Sequence, residues 1–238
     1  MGSSSSGNCY VLDSGREALV IEAGVSMKQV KTALDYNLSK VVGCLVSHRH
    51  NDHAKNIRDM VASGIHTLAL SDVWEAKHVN PSGFARVIEP NHGYKLGGFN
   101  VFVFEADHDV PCVGFVISHL DCGNILFLTD SCTCYSRFEG INHIMIECNY
   151  SYLHLEKAIQ QGRTIESQRY RLMNSHMELC TCIDILEHHD LEPVQEIILL
   201  HMSEHNADEQ FFVEHVTEAT GKEVLVACPG LVVPMDLY

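Results

Sequence analysis

The sequence predicts an α/β fold layered as an αββα sandwich. Three observations carry the prediction. Short β-rich runs alternate with helical stretches early in the chain, turn-separated antiparallel strands occupy the middle, and β and α units return in the last third. Two β-rich halves with helices outside are satisfied by two sheets packed face to face. The 238 residues, 46% of them hydrophobic, can bury a sizeable core. No proline-rich or low-complexity linker divides them, so one domain over residues 1–238 is expected.

Taken in order, Val11 and then residues 19–21 form a hairpin around Ser14-Gly15. Residues 25–38 carry Val30, Ala33, Leu34 and Leu38 at helical spacing. Residues 41–46 are a continuous apolar run, as expected of a strand buried on both faces, and they end directly before a histidine cluster. A helix over 54–63 and a strand over 66–70 follow. From 84 to 128 the pattern reads as antiparallel, with strands at 86–88, 101–105, 112–118 and 125–128. Turns are expected at 91–93, 96–98 and 121–124. The last third predicts strands at 143–147, 196–200 and 223–226, and helices at 153–160, 177–188 and 207–220.

Sixteen basic residues stand against 31 acidic ones, a net charge of −15. So acidic a protein has no long-range attraction for nucleic acid, whose binding is dominated by phosphate neutralisation. A broad nucleic-acid groove is therefore not expected, although a local basic site or metal ions can still anchor phosphate. No apolar run approaches the ~20 residues that cross a bilayer, and the N-terminus lacks a charged-then-apolar leader pattern. A cytoplasmic protein without membrane contact is expected. Ten cysteines in such a chain suggest reduced thiols. Cys132/Cys134 and Cys180/Cys182 are C-x-C pairs, but no C-x-x-C is present, which gives little support to a structural zinc site. Cys44, Cys112, Cys148 and Cys228 sit in apolar company and read as small core residues.

The chemistry concentrates in Ser47-His48-Arg49-His50-Asn51-Asp52-His53. Three imidazoles and a carboxylate stand just past a buried strand, whose end fixes the backbone. His48 and His50, two apart, can reach one ion, and Asp52 and His53 can serve a second close by. Imidazole and carboxylate suit zinc, manganese or iron without thiolate. Further candidates stand at later strand ends: His108 after 101–105, Asp130 closing the apolar run from Ile125, and His201 closing the run from Ile197. Asp107 and Asp109 flank His108 and compete for the carboxylate role, but read first as solvated groups or as supports behind the ligands.

The order H-x-H-x-D-H, then His, Asp and a last His resembles the metallo-β-lactamase superfamily over nearly the whole chain. The fold class expected is therefore the four-layer αββα metallo-β-lactamase sandwich. The resemblance implies two divalent metal ions per chain. His48, His50 and His108 would hold one ion; Asp52, His53 and His201 would hold the other, with Asp130 bridging. Within the superfamily the chain resembles the bacterial YycJ/WalJ-like branch, related to tRNase Z. Ser5 to Tyr10 matches that branch's opening, which favours a native start over an added serine-rich tag. Ile146 to Tyr150 resembles its I-E-A-N-Y segment, and Leu200-His201-Met202-Ser203 its L-x-H-L-S. Ser175-His176-Met177-Glu178 stands where the branch has G-H-L-S, with the glycine and the final serine replaced.

The resemblance implies a hydrolase that attacks a phosphodiester with a hydroxide held between the two ions. Asp52 and Asp130 would balance the metal charge and orient the nucleophile. His176 would hydrogen-bond the scissile phosphate or protonate the leaving oxygen. Arg163, Arg169 and Arg171 can pin a phosphate and Tyr170 can stack a base, but a solvated helix face explains them equally well. The leading expectation is an exonuclease-like phosphodiesterase acting on nucleic-acid ends, with zinc or manganese first and iron next. The alternatives are a cyclic-nucleotide or other small phosphodiesterase, and an ester, thioester or lactam hydrolase. A homodimer fits the family likeness.

Overall fold

The computed structural model describes residues 1–237. The first sheet is built from β1 (Tyr10–Asp13), β2 (Ala18–Ile21), β3 (Val41–Val46), β4 (Thr67–Ala69) and β5 (Ala85–Val87), side by side in that order. The second contains β6 (His92–Leu96), β7 (Phe99–Ala106), β8 (Cys112–His119), β9 (Gly123–Leu128), β10 (His143–Glu147), β11 (Glu196–Leu200) and β12 (Glu223–Val226). β6 to β9 pair antiparallel, whereas β9, β10, β11 and β12 run parallel. In the first sheet only the β1–β2 hairpin is antiparallel; β2 to β5 run parallel. Parallel strands release their C-terminal ends at one sheet edge, and this is what later gathers the site.

The helices are α1 (Met27–Ala33), α2 (Asn51–Ala54), α3 (Ile57–Ala62), α4 (Ser71–Ala76), α5 (Tyr152–Gln160), α6 (Glu166–Ser175), α7 (Leu179–Glu187) and α8 (Glu209–Thr220). Alternation along the strands explains the layers. In β11, Ile198 and Leu200 join the core shared with the first sheet, while Ile197 and Leu199 join the core under α7 and α8. β10 does the same with Met145 on one side and Ile144 and Ile146 on the other. Each such side chain, fully buried, stabilises by about 1.5–3 kcal/mol.

Several local expectations are corrected. The helix predicted over 54–63 is two short helices, because Asn56 N donates to Ala23 O and Ala23 N to His53 O, which ties the break to the exit of β2. The segment predicted as antiparallel at 86–88 is instead β5, a parallel edge strand of the first sheet. The turn expected at 91–93 contains the start of β6, paired with β7. α4 and α6 had no counterpart in the sequence reading; α6 carries few buried side chains, so its pattern lacks an apolar stripe. Cys44, Cys112 and Cys148 are buried as expected, but Cys228 is exposed. Among the described residues no helix is long and apolar enough to cross a membrane.

Candidate metal centre

The C-terminal edges of both sheets meet at one place. β2 ends before Glu22 and β3 before Ser47-His48; β9 ends before Thr129-Asp130, β10 at Glu147 and β11 before His201. Because β9, β10 and β11 are parallel and in register, with Leu128 opposite Ile146 and Glu147 opposite Leu200, three acidic or imidazole side chains leave that edge together. Asp130 (φ 45°) and His201 (φ 51°) adopt left-handed backbone conformations that non-glycine residues seldom take. Such strain, of order 1–3 kcal/mol per residue, clusters at functional sites.

All seven sequence-predicted ligands come together, in two groups. The donor atoms of His48, His50 and His108 lie within 4.8 Å of one another, as do those of Asp52, His53, Asp130 and His201. The Asp130 carboxylate faces both groups, with Oδ1 3.2 Å from His53 Nε2 and Oδ2 3.9 Å from His48 Nε2. Asp52 Oδ2 lies 3.3 Å from His201 Nε2 and 3.5 Å from His53 Nε2. The arrangement suits a dinuclear metal site. The buried His48 Nε2 is the direct sign, for it has no hydrogen-bond partner. An unsatisfied buried polar atom costs about 1–3 kcal/mol, and a cation among the imidazoles removes that cost.

The electrostatics point the same way. Burial opposes the charge on Asp130, yet His201 and His53 hold its carboxyl well below the usual carboxylate range. Burial works to lower His201, but the Asp130 charge, with Asp52 and Glu147, pushes it up to about 10. Burial, reinforced by neighbouring His53, takes His48 well below the ordinary imidazole value. Carboxylates and imidazoles thus share protons that an incoming cation displaces.

Residues the sequence reading passed over support these groups. Glu22 is fully buried, accepts from Ser47 N at 3.3 Å, and places Oε2 3.5 Å from His53 Nδ1. Asn8 Nδ2 lies 2.8 Å from His53 Nε2, and its backbone N donates to Asp52 O at 2.7 Å. Gly24 permits this contact, since a Cβ there would stand 1.7 Å from Asp52 O. Asn149 Nδ2 donates to His201 O at 2.6 Å, and His201 N donates to Ser3 Oγ at 2.8 Å. Glu22 and Glu147 share the signal that exposed Asp130, a carboxylate closing an apolar strand; Asn8 and Asn149 carry no such local signal. Glu22→Gln is expected to weaken metal binding about 10–100-fold while the protein stays folded, because it removes the charge that orients the His53 ring. Calorimetric metal titration of wild type and variant checks this, and equal affinities would exclude the role.

His176, expected at the start of the helix over 177–188, stands in extended backbone just ahead of α7 and also closes α6. Its Nδ1 donates to Glu147 Oε1 at 2.7 Å, while Glu147 Oε2 accepts from Ser131 N at 2.8 Å and Met177 N at 3.2 Å. Burial works to lower the His176 pKa, but the Glu147 charge raises it above its ordinary value. A cavity of about 290 Å³ is lined by His50, Asp52, His108, Asp130, His176 and His201, with Arg171 at its wall. The arginine cluster divides. Arg163 donates to Gln161 and to His205 O, and Arg169 is paired with Glu156 and Glu166, which leaves Arg171 at the cavity. Tyr170 is 78% exposed. Asp109, read as solvated or supporting, has Oδ1 3.2 Å from His108 Nε2 and 3.4 Å from His50 Nε2.

The comparisons with known proteins agree with this architecture. The family model of the metallo-beta-lactamase superfamily matches residues 4–131. The chain is 23% identical over 217 residues to Exodeoxyribonuclease YycJ of Bacillus anthracis, covering 85% of this chain and 81% of that protein. Among solved structures, the metallo-beta-lactamase fold protein YhfI from Bacillus subtilis superposes with a TM-score of 0.68 at 17% identity, over 96% of this chain and 92% of its own. Human tRNase Z, short form, does so with a TM-score of 0.63 at 14% identity, over 97% and 93%. The superpositions establish the fold, and the sequence likeness lies toward the YycJ-like branch. With its signature loop inside a family match spanning more than half of its residues, this chain belongs to the metallo-beta-lactamase superfamily.

Proposed function

We propose that the protein is a dinuclear metal-dependent phosphodiesterase that removes nucleotides from nucleic-acid ends. The observation that carries the reading is the Glu147–His176 pair beside the two donor groups. Glu147 accepts the hydrogen bond from His176 Nδ1–H, so that Nε2 is the nitrogen left to serve a substrate in the cavity. A phosphoester leaving oxygen needs a proton, and an imidazole held by a buried carboxylate is suited to deliver one. His48, His50 and His108 would hold one cation, and Asp52, His53 and His201 the other, with Asp130 shared. The donor set, imidazole and carboxylate without thiolate, fits zinc or manganese first and iron next.

When bound, the two cations supply Lewis-acid charge and lower the pKa of a water molecule. The chain's own groups do the rest. Asp52 and Asp130 offset the metal charge and orient the nucleophile, Arg171 steadies a phosphate oxygen at the cavity wall, and His176 holds the proton for the leaving group. The relative named an exodeoxyribonuclease supports nucleic acid as the substrate class. The second reading, a small or cyclic phosphodiester, is favoured by the net charge of −15 and by a cavity of only about 290 Å³. The cysteines are all free, which fits a reducing, cytoplasmic compartment.

The test uses metal-stripped protein refilled with manganese or zinc, end-labelled oligodeoxynucleotides, and bis(p-nitrophenyl) phosphate. Metal-dependent shortening from an end, lost in the His50→Ala/Asp130→Ala double variant, is the expected result. Turnover of the chromogenic diester with intact oligonucleotides would move the assignment to small diesters. Inactivity on both with two metals bound would end the phosphodiesterase reading.

A further inference from the structure

We propose that Asp109 is a fourth ligand to the ion held by His48, His50 and His108, so that this site has a carboxylate of its own besides Asp130. The inference rests on the two-ion reading above and deepens it. The three rings surround a common point: centroids lie 4.8 Å apart for His48–His50, 4.8 Å for His48–His108 and 5.0 Å for His50–His108, each pair edge to face. His48 Nδ1 lies 2.9 Å from Ser47 Oγ, and its Nε2 is buried without a partner.

Asp109 stands on the open side of this triangle, its side chain 40% exposed. His108 Nδ1 donates to Ser175 O at 2.7 Å, so Nε2 presents a lone pair, which also faces His50 Nδ1 at 3.2 Å. A carboxylate oxygen 3.2 Å from that lone pair is an acceptor facing an acceptor, and a cation between them turns the repulsion into coordination. Two donors each about 2.0–2.2 Å from one ion are separated by no more than roughly 4.4 Å, and the 3.2 Å from Asp109 Oδ1 to His108 Nε2 falls inside that span. Among the described residues Asp109 has no lysine or arginine partner; the two imidazoles are its charge contacts. Asp107, its near neighbour, engages the strand ends through its backbone instead, donating to Ser131 Oγ and accepting from Cys132 N.

Asp109 would add a carboxylate to the three imidazoles and the shared Asp130, all of them donor types that zinc accepts. Asp109 is the most open of these groups, its side chain 40% exposed against 29% for His50 and 1% for His108. Asp130 then supports both ions but is not required for the first to bind.

The test titrates full-length, metal-stripped protein with zinc by calorimetry and with manganese by electron paramagnetic resonance. Wild type is compared with Asp109→Asn, Asp109→Ser and Asp107→Asn. Asparagine keeps an oxygen that can accept from the His50 ring N–H but lacks the ligand charge. In Asp109→Asn and Asp109→Ser, one of two binding steps is expected to weaken by about tenfold or more, since even groups behind the ligands contribute 10–100-fold. The other step, Asp107→Asn, and the metal-free melting temperature should not move. Wild-type binding of two ions with unchanged affinity in Asp109→Asn would overturn the proposal and leave the two-ion reading intact. Failure of the wild type to bind metal would overturn both.

Discussion

Replacing His176 with alanine is expected to slow hydrolysis of an ordinary DNA phosphodiester by about 10²–10⁴-fold, the range for losing a positioned proton donor. Bis(p-nitrophenyl) phosphate should lose much less, because its leaving group departs as a stabilised anion and needs no proton. Bound metal should stay at the wild-type level, since all seven expected ligands remain. The geometry behind the expectation is the 2.7 Å bond from His176 Nδ1 to a Glu147 held by two backbone donors. The check is kcat/KM for both substrates alongside metal content. An equal loss on both would reassign His176 to phosphate contact, and no loss would remove it from the reaction.

The second large effect is expected at Asp130. Asp130→Asn should lower turnover by on the order of 10³-fold, comparable to losing a preorganised charge-stabilising group. It should also cut stoichiometry from about two ions per chain toward about one, because a two-ion site depends on its shared ligand. Asparagine is the informative replacement because Asp130 has φ 45°. Asparagine tolerates the left-handed region, whereas alanine there adds backbone strain and confounds chemistry with stability. Elemental analysis and steady-state kinetics on the same preparation decide the matter. A variant keeping both ions and full turnover would remove Asp130 from the shared position.

How much was legible depends on how far apart the partners lie in the chain. The loop from Ser47 to His53 carries its pattern within one short segment, so the residues alone pointed to metal. β3, β10 and β11 were legible because a continuous apolar run has few other homes. α6 was not, because its exposed surface leaves no apolar stripe, and so the role of His176 as the residue that closes α6 ahead of α7 went unread. The strand at residues 86–88 was read with its antiparallel successors. Only its pairing with β4 assigns it to the first sheet, and pairing partners leave no trace in a three-residue strand.

By itself, then, the sequence determined the layered α/β class, the family and the seven residues that converge. Each of these follows from local periodicity or from a motif at a strand end. Tertiary structure alone decided which groups stand behind and beside them. Glu147 meets His176, Glu22 meets Ser47, Asn8 meets His53 and Asp109 meets His50, across separations that no local pattern encodes. The physical reason is the parallel register of β9, β10 and β11 and of β2 and β3. It delivers side chains distant in sequence to one shared edge, and that register is fixed by the burial of whole sheets rather than by the residues at their ends.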